Sequence, residues 1–278
     1  MTSVDTTHEM TLTVLGSSAS APEAGDACSG YLVRQGETRL LLDCGSGVLG
    51  ELRKHASYAD LTAIIITHFH PDHYLDLIPM RYGMRYGLED PVSPRLLVPP
   101  GGIDYLAGVG NAIRKSPGFF ANAYQLEEYD PDAEVRIGDL TVTFQRTTHD
   151  EPTWACAVQG AHRFVYTSDT QESRDVERFA ADADLLLCEA TYPAPAGNLT
   201  EGSANHLTSH QAGVLAHTAG VRQLMLTHFW PGLDRSIFRE EAARAYGAPV
   251  LLARPGLTVP VAVPDASADA SHETLLEA

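Results

Sequence analysis

Seven residues whose side chains bind metals well sit at four separated points of the chain: His68, His70, Asp72 and His73 in the run HFHPDH, then His149, Asp169 and His228. Imidazole and carboxylate together suit zinc and other first-row divalent ions. His68 and His70 alternate along one short extended piece, so both can point to the same side. A turn at Pro71 can swing Asp72 and His73 towards a second centre. We therefore assign one site to His68, His70 and His149 and a second to Asp72, His73 and His228, with Asp169 bridging them. Two close metals can share a bridging hydroxide and stabilise both the attacking and the leaving oxygen. Metal-bound water is acidic enough to supply the nucleophile at neutral pH, so no Ser or Cys nucleophile is needed. The competing view is that each residue only caps a strand end. It has to explain the same placement four times over.

The elements that must position these residues can be read around them. LTAIIIT is a continuous apolar, β-branched run and predicts a buried strand that stops at the HFHPDH cassette. His149 follows TVTFQRTT, Asp169 follows FVYTS, and His228 follows LMLT. YLVRQGETRLLLD predicts a hairpin, as do EVRIGDLTVTFQ and WACAVQGAHRFVYTSD. Helices are expected from CGSG to His55, over DHYLDLIPMRYGMRYG, over 103–127, over LTSHQAGVLAHTAG and over 233–246. Strands dominate both halves with helices between them, which predicts an α/β architecture: two sheets face to face, helices outside, ligands where strand ends converge. We expect one domain over 10–263, a disordered N-terminus over 1–9 and a disordered acidic tail over 264–278.

Composition narrows the partners. No run approaches the length of a membrane span. The start, MTSVDTTHEM, has neither the basic nor the apolar part of a secretory signal. With 36 Asp+Glu against 19 Lys+Arg, the formal charge of −17 weighs against a large nucleic acid, whose binding relies on Lys and Arg. Cys28, Cys44, Cys156 and Cys188 form no CxxC pair and read as reduced, mostly buried thiols of a cytoplasmic protein. Arg81 and Arg85, four apart on the helix after the cassette, could meet a substrate phosphate. Trp230, next to His228, could wall the pocket and stack a base.

VLGSSASAP with SGYLV, LLLDCGSG, THFHPDH, the lone His149, TSDT and LTHF resemble the metallo-β-lactamase superfamily over almost the whole chain. Within it, CEAT at 188–191 is similar to the HEAT motif of the ribonuclease Z branch, and NHLTSHQAG at 205–213 to its histidine motif, matched by His206 and Thr208. The resemblance implies an αββα sandwich of two mixed sheets. It also implies that Glu189 orients His206, which acts as general acid beside the catalytic Asp72. Thr208 joins Trp230, Arg81 and Arg85 as a candidate substrate contact.

Two features depart from ribonuclease Z. Pro71 stands where that family has Gly. Only twenty residues separate His149 from Asp169, too few for that family's tRNA-gripping arm. An armless layout is similar to small bacterial cyclic-nucleotide phosphodiesterases of this fold. The expectation is a two-metal hydrolase, zinc-loaded with manganese or iron as alternatives, cleaving a small phosphodiester such as a 3′,5′-cyclic nucleotide. Hydrolysis of a lactone, thioester or sulfate ester by the same site is the alternative, and tRNA 3′ cleavage a further one. The resemblance, with the frequency of two-fold assemblies, also suggests a homodimer.

Overall fold

Successive side chains of a strand face opposite sides, and the apolar runs of this chain are buried on both. Leu40, Leu42, Ala63 and Ile65 enter one core, while Leu41, Ile64 and Ile66 enter another. Each buried branched side chain contributes about 1.5–3 kcal/mol, so unbroken runs such as LLL and AIII belong in central strands. The computed structural model describes residues 9–194 and 205–262. The terminus expected to be disordered lies outside the described residues except for Glu9, and the acidic tail lies outside them entirely.

The first sheet takes β1 (Thr11–Ser18), β2 (Ala27–Cys28), β3 (Gly30–Gln35), β4 (Thr38–Leu42), β5 (Ala63–Ile65), β6 (Arg95–Val98) and β7 (Gln125–Glu128). The second takes β8 (Val135–Ile137), β9 (Leu140–Arg146), β10 (Trp154–Gln159), β11 (Arg163–Tyr166), β12 (Leu185–Glu189), β13 (Leu224–Thr227) and β14 (Val250–Leu252). A last strand, β15 (Thr258–Pro260), returns to pair with β1. The orders are β15-β1-β3-β4-β5-β6-β7, with β2 beside β1, and β14-β13-β12-β11-β10-β9-β8. Each sheet is mixed: β4 to β7 and β11 to β14 run parallel, while the hairpins β3–β4, β8–β9 and β10–β11 are antiparallel.

One core lies between the sheets. The other lies between the first sheet and α1 (Val48–His55), α2 (Pro71–Tyr74), α3 (Leu77–Tyr86) and α4 (Gly102–Arg114), through residues such as Val48, Leu52, Met80 and Leu106. The second sheet is covered by α5 (Arg174–Phe179), α6 (Ser209–Thr218) and α7 (Arg235–Tyr246). This is the expected αββα sandwich of two mixed sheets.

Two element expectations are corrected. The helix predicted over 103–127 stops at Arg114, where Lys115 turns left-handed, and residues 125–127 belong to β7. That edge strand, QLEE, buries no face fully and so carries no alternation to read. The helix after the cassette is interrupted between Tyr74 and Leu77. There Asp76 accepts the Leu49 amide at 2.8 Å and donates its own amide to the Cys44 carbonyl at 3.0 Å.

Candidate metal centre

The strand ends that carry the seven residues converge on one edge of the sandwich. The cassette follows β5, His149 follows β9, Asp169 follows β11 and His228 follows β13. Pro71 opens α2, where its missing N–H would have no intrahelical partner in any case. Asp43, Ser168 and His228, each just past a strand, hold left-handed φ of 57°, 52° and 59°. Such backbone costs about 1–3 kcal/mol per residue and gathers at functional sites.

Ligand atoms of His68, His70, His149 and Asp169 all lie within 4.8 Å of one another, and so do those of Asp72, His73 and His228. Asp169 belongs to the first group, forms a third with His206 and His228, and lies against the second. Its Oδ2 is 3.6 Å from His68 Nε2, 3.8 Å from His149 Nε2 and 3.5 Å from His228 Nε2, and its Oδ1 is 3.4 Å from His73 Nε2. Asp72 Oδ2 is 3.3 Å from His228 Nε2 and 3.6 Å from His73 Nε2, and accepts the Ser20 amide at 2.7 Å.

The outer ring nitrogens fix which way four of the imidazoles present themselves. Thr67 Oγ1 donates to Asp43 Oδ2 at 3.0 Å, so it must accept from His68 Nδ1 at 3.1 Å. Thr191 Oγ1 donates to Glu189 Oε2 at 2.9 Å and accepts from His228 Nδ1, also at 2.9 Å. His73 Nδ1 donates to Asp43 Oδ2 at 2.8 Å, and His149 Nδ1 to the Asn205 carbonyl at 3.1 Å. With the outer nitrogen donating, each of the four presents its Nε2 to the cluster and can offer it to a metal in the tautomer a metal requires.

Asp43 is the hub of this outer layer. Fully buried, it also accepts from the Thr67 amide at 2.8 Å and from Tyr166 OH at 3.0 Å. The loop after it packs closely: a Cβ on Gly45 would meet the Asp72 carbonyl oxygen at 1.8 Å.

Electrostatics and polar accounting both fit divalent cations. Among the described residues, no Lys or Arg lines the cavity of about 260 Å³ that opens over the cluster. Burial pushes His68 well below the ordinary imidazole range. Burial would lower His73 too, but Asp169, Asp72 and Asp43 outweigh it and hold its proton well above that range. Asp72 and Asp169 resist burial because His73 and His228 face them, and both stay well below the ordinary carboxylate value. The field that holds a proton on His73 is the field a divalent ion would neutralise. His68 Nε2, His73 Nε2 and Asp169 Oδ1 are buried with no hydrogen-bond partner, a combination that costs about 1–3 kcal/mol each if nothing else meets them. Nitrogen and oxygen donors of this kind suit first-row divalent ions.

Glu189, at the end of β12, is fully buried and saturated. Its Oε1 accepts the Thr170 amide at 2.6 Å and His206 Nδ1 at 3.1 Å; its Oε2 accepts Thr191 Oγ1 and, at 3.1 Å, the Leu207 amide. Burial alone would lower the His206 pKa, but the Glu189 carboxylate outweighs it and raises it to about 9. His206 lines the cavity together with His70, Asp72, Asp169 and Ser20.

The candidate substrate contacts divide. Trp230 lines the cavity and is 42% exposed. Thr208 does not: it is the N-cap of α6, in a reciprocal capping box with Gln211 that occupies its hydroxyl. Arg81 and Arg85 do not either. Arg81 Nε donates to the Phe119 carbonyl at 2.6 Å and its guanidinium lies over the Phe119 ring, while Arg85 donates to the Asn122 carbonyl. Both arginines tie α3 to the turn before β7. Sequence reasoning missed Asp43, Thr67, Thr191 and Tyr192 as site residues. An acidic residue ending LLLD was the only signal for the first, and nothing marked the hydroxyls.

A family model described as the beta-lactamase superfamily domain matches residues 38–229. The probable metallo-hydrolase YhfI of Bacillus subtilis is 30% identical over 259 residues, covering 89% of this chain and 98% of that protein. Its crystal structure superposes with a TM-score of 0.80 at 29% identity, covering 91% of this chain and 99% of that one. A ribonuclease Z of Halorubrum lacusprofundi is 27% identical over 307 residues, covering 92% of this chain and 98% of its own. The short form of human tRNase Z shares the fold, with a TM-score of 0.71 at 20% identity, over 91% of this chain and all of that one.

Proposed function

The chain belongs to the beta-lactamase superfamily as a metal-dependent hydrolase, and we propose that it is a two-metal phosphodiesterase that cleaves a small phosphodiester, a 3′,5′-cyclic nucleotide being the favoured substrate. His68, His70 and His149 would hold one ion and Asp72, His73 and His228 the other, with Asp169 between them. Divalent ions, zinc by preference, supply Lewis acidity towards phosphoryl oxygens and make a water acidic enough to attack at neutral pH.

The residues of the chain do the rest. Asp43, Thr67 and Thr191 fix the imidazole tautomers. Glu189 keeps His206 protonated, and His206 gives that proton to the departing oxygen. An alkoxide leaves poorly without one. The observation that carries the reading is His206, held at 3.1 Å by buried Glu189 and lining the same cavity as Asp72 and Asp169. A carbonyl substrate with an activated leaving group has no use for such a pair. The single hairpin β10–β11 between His149 and Asp169 supports a small substrate over tRNA.

The test is turnover of a 3′,5′-cyclic nucleotide and bis-p-nitrophenyl phosphate by metal-counted protein, with and without added zinc or manganese. Two metals per chain and metal-dependent cleavage of both diesters are expected. Two metals with no diester cleavage, but with turnover of a lactone, thioester or sulfate ester, would overturn the reading.

A further inference from the structure

The cavity over the cluster has two chemically different ends. One is the polar set already described. The other is a pair of aromatic side chains, Tyr192 and Trp230, with no aliphatic residue beside them in the lining among the described residues. Their ring centroids are 5.6 Å apart and their planes differ by 28°, so they stack on one another into a single aromatic block at that end of the cavity.

Both rings stand on fixed backbone. Trp230 donates its amide to the Thr191 carbonyl at 3.1 Å, and Tyr192 accepts the Ser209 amide at 2.9 Å where α6 begins. The neighbouring Phe229 is locked in the core, its amide donating to the Ser17 carbonyl at 2.8 Å and its carbonyl accepting the Ala19 amide at 2.9 Å. Tyr192 lies three residues past Glu189, and Trp230 two past His228. The wall is thus tied to the groups that do the chemistry, and the backbone that carries it is held before a ligand arrives. Trp230 is 42% exposed at the mouth of the cleft, so a face of its ring is open to a ligand.

We infer that Tyr192 and Trp230 are the specificity surface of the site, taking the flat ring of a substrate, a nucleobase in the class proposed above, while its phosphodiester lies at the metal end. The inference rests on the phosphodiesterase reading for its substrate but not for its geometry. An aromatic face recognises any base by stacking and reads no hydrogen-bonding edge. The site should therefore separate ring-bearing from ringless diesters more sharply than one nucleobase from another. An alkyl chain gains burial but no stacking there.

The test uses two readouts. The chain has only two tryptophans, Trp154 and Trp230, and Trp154 is a core residue at 6% exposure. Trp154→Phe therefore leaves Trp230 as the single reporter, with its melting curve showing that it folds. Adenosine monophosphate should quench its fluorescence saturably, and ribose 5-phosphate should not. In the metal-loaded protein, Trp230→Ala should raise KM for a cyclic nucleotide relative to that for glycerophosphoethanolamine by on the order of 5- to 150-fold. Trp230→Phe should recover most of the difference. Equal quenching by the two monophosphates, or no quenching of the folded reporter, overturns the inference. So does a KM ratio that Trp230→Ala leaves within about twofold of the wild-type ratio. Were no diester cleaved at all, the phosphodiesterase reading would fail instead, and the fluorescence comparison would still decide the wall.

Discussion

Replacing Glu189 with Gln removes the charge that keeps a proton on His206. In the wild-type protein burial pulls the His206 pKa down and Glu189 pulls it up, with the balance at about 9. Without the carboxylate the largest upward influence is gone, only Asp169 and Asp72 still oppose burial, and the value should fall. At a pH of about 8 a smaller fraction of His206 then carries the proton. A general acid works only while it carries its proton. Activity on a substrate with a poor leaving group should therefore be flat below the His206 pKa and fall above it, and the variant should move that fall to lower pH. Metals in the adjacent cluster repel the imidazolium, so the wild-type limb should lie at or below about 9.

Loss of a positioned acid costs about 10²–10⁴-fold for an alkoxide leaving group and little for p-nitrophenolate. The assay is kcat/KM against pH for a cyclic nucleotide and for bis-p-nitrophenyl phosphate. Gln can accept at only one of the two oxygens that now serve Thr170, His206, Thr191 and Leu207. Some stability will be lost as well, and a melting curve must show the variant folded. His206→Ala, which leaves Glu189 in place, is the companion and should show no alkaline limb from an acid. Equal losses on both substrates at every pH, in folded protein, would refute the role given to the pair.

Three further perturbations separate the layers of the site. Stripping metal with a chelator should lower the melting temperature by roughly 5–10 °C, because orphaned buried atoms and facing carboxylates lose their cation, and zinc should restore it; an unchanged melt would mean that the cluster holds no metal. Asp43→Asn keeps a residue that tolerates the left-handed backbone but loses the anionic acceptor of His73 Nδ1, so zinc affinity, read by competition with a chelating dye, should weaken by about 10- to 100-fold. Arg81→Ala should lower stability by about 1–2 kcal/mol through the lost Phe119 contacts and leave diester kcat/KM within about twofold; a tenfold loss of activity would return Arg81 to the substrate.

What the sequence made legible was whatever repeats a physical pattern. LTAIIIT announces a strand buried on both faces, and ligand-type residues after four strands announce a shared edge. The cassette, His149, Asp169 and His228 do converge there, within 4.8 Å in each group. What stayed hidden has no pattern of its own. Thr67 and Thr191 matter because each hydroxyl donates one way and must accept the other, which depends on angles that only the assembled fold supplies. Arg81 and Arg85 misled because their spacing gives a helix face but not its direction. The break after Tyr74 lets α3 turn that face towards the Phe119–Asn122 turn, away from the cavity.

One pairing explains why so many functional residues come into place together. In the second sheet β12 and β13 run parallel with Cys188 opposite Leu226 and Glu189 opposite Thr227. Just past that rung the two chains carry on side by side: the Ala190 amide donates to the Thr227 carbonyl, and the Trp230 amide to the Thr191 carbonyl. Thr191 thereby reaches His228 while Glu189 reaches His206, and Tyr192 comes to lie against Trp230. A slip of β13 by one residue would exchange its two faces and part Thr191 from His228 and Tyr192 from Trp230. The apolar residues of LLLC and LML, buried on both faces of the sheet, hold that register. Their packing energy is what keeps a buried carboxylate, a cluster-facing imidazole and an exposed indole in fixed relation, so the chemistry of the site depends on the hydrophobic core beneath it.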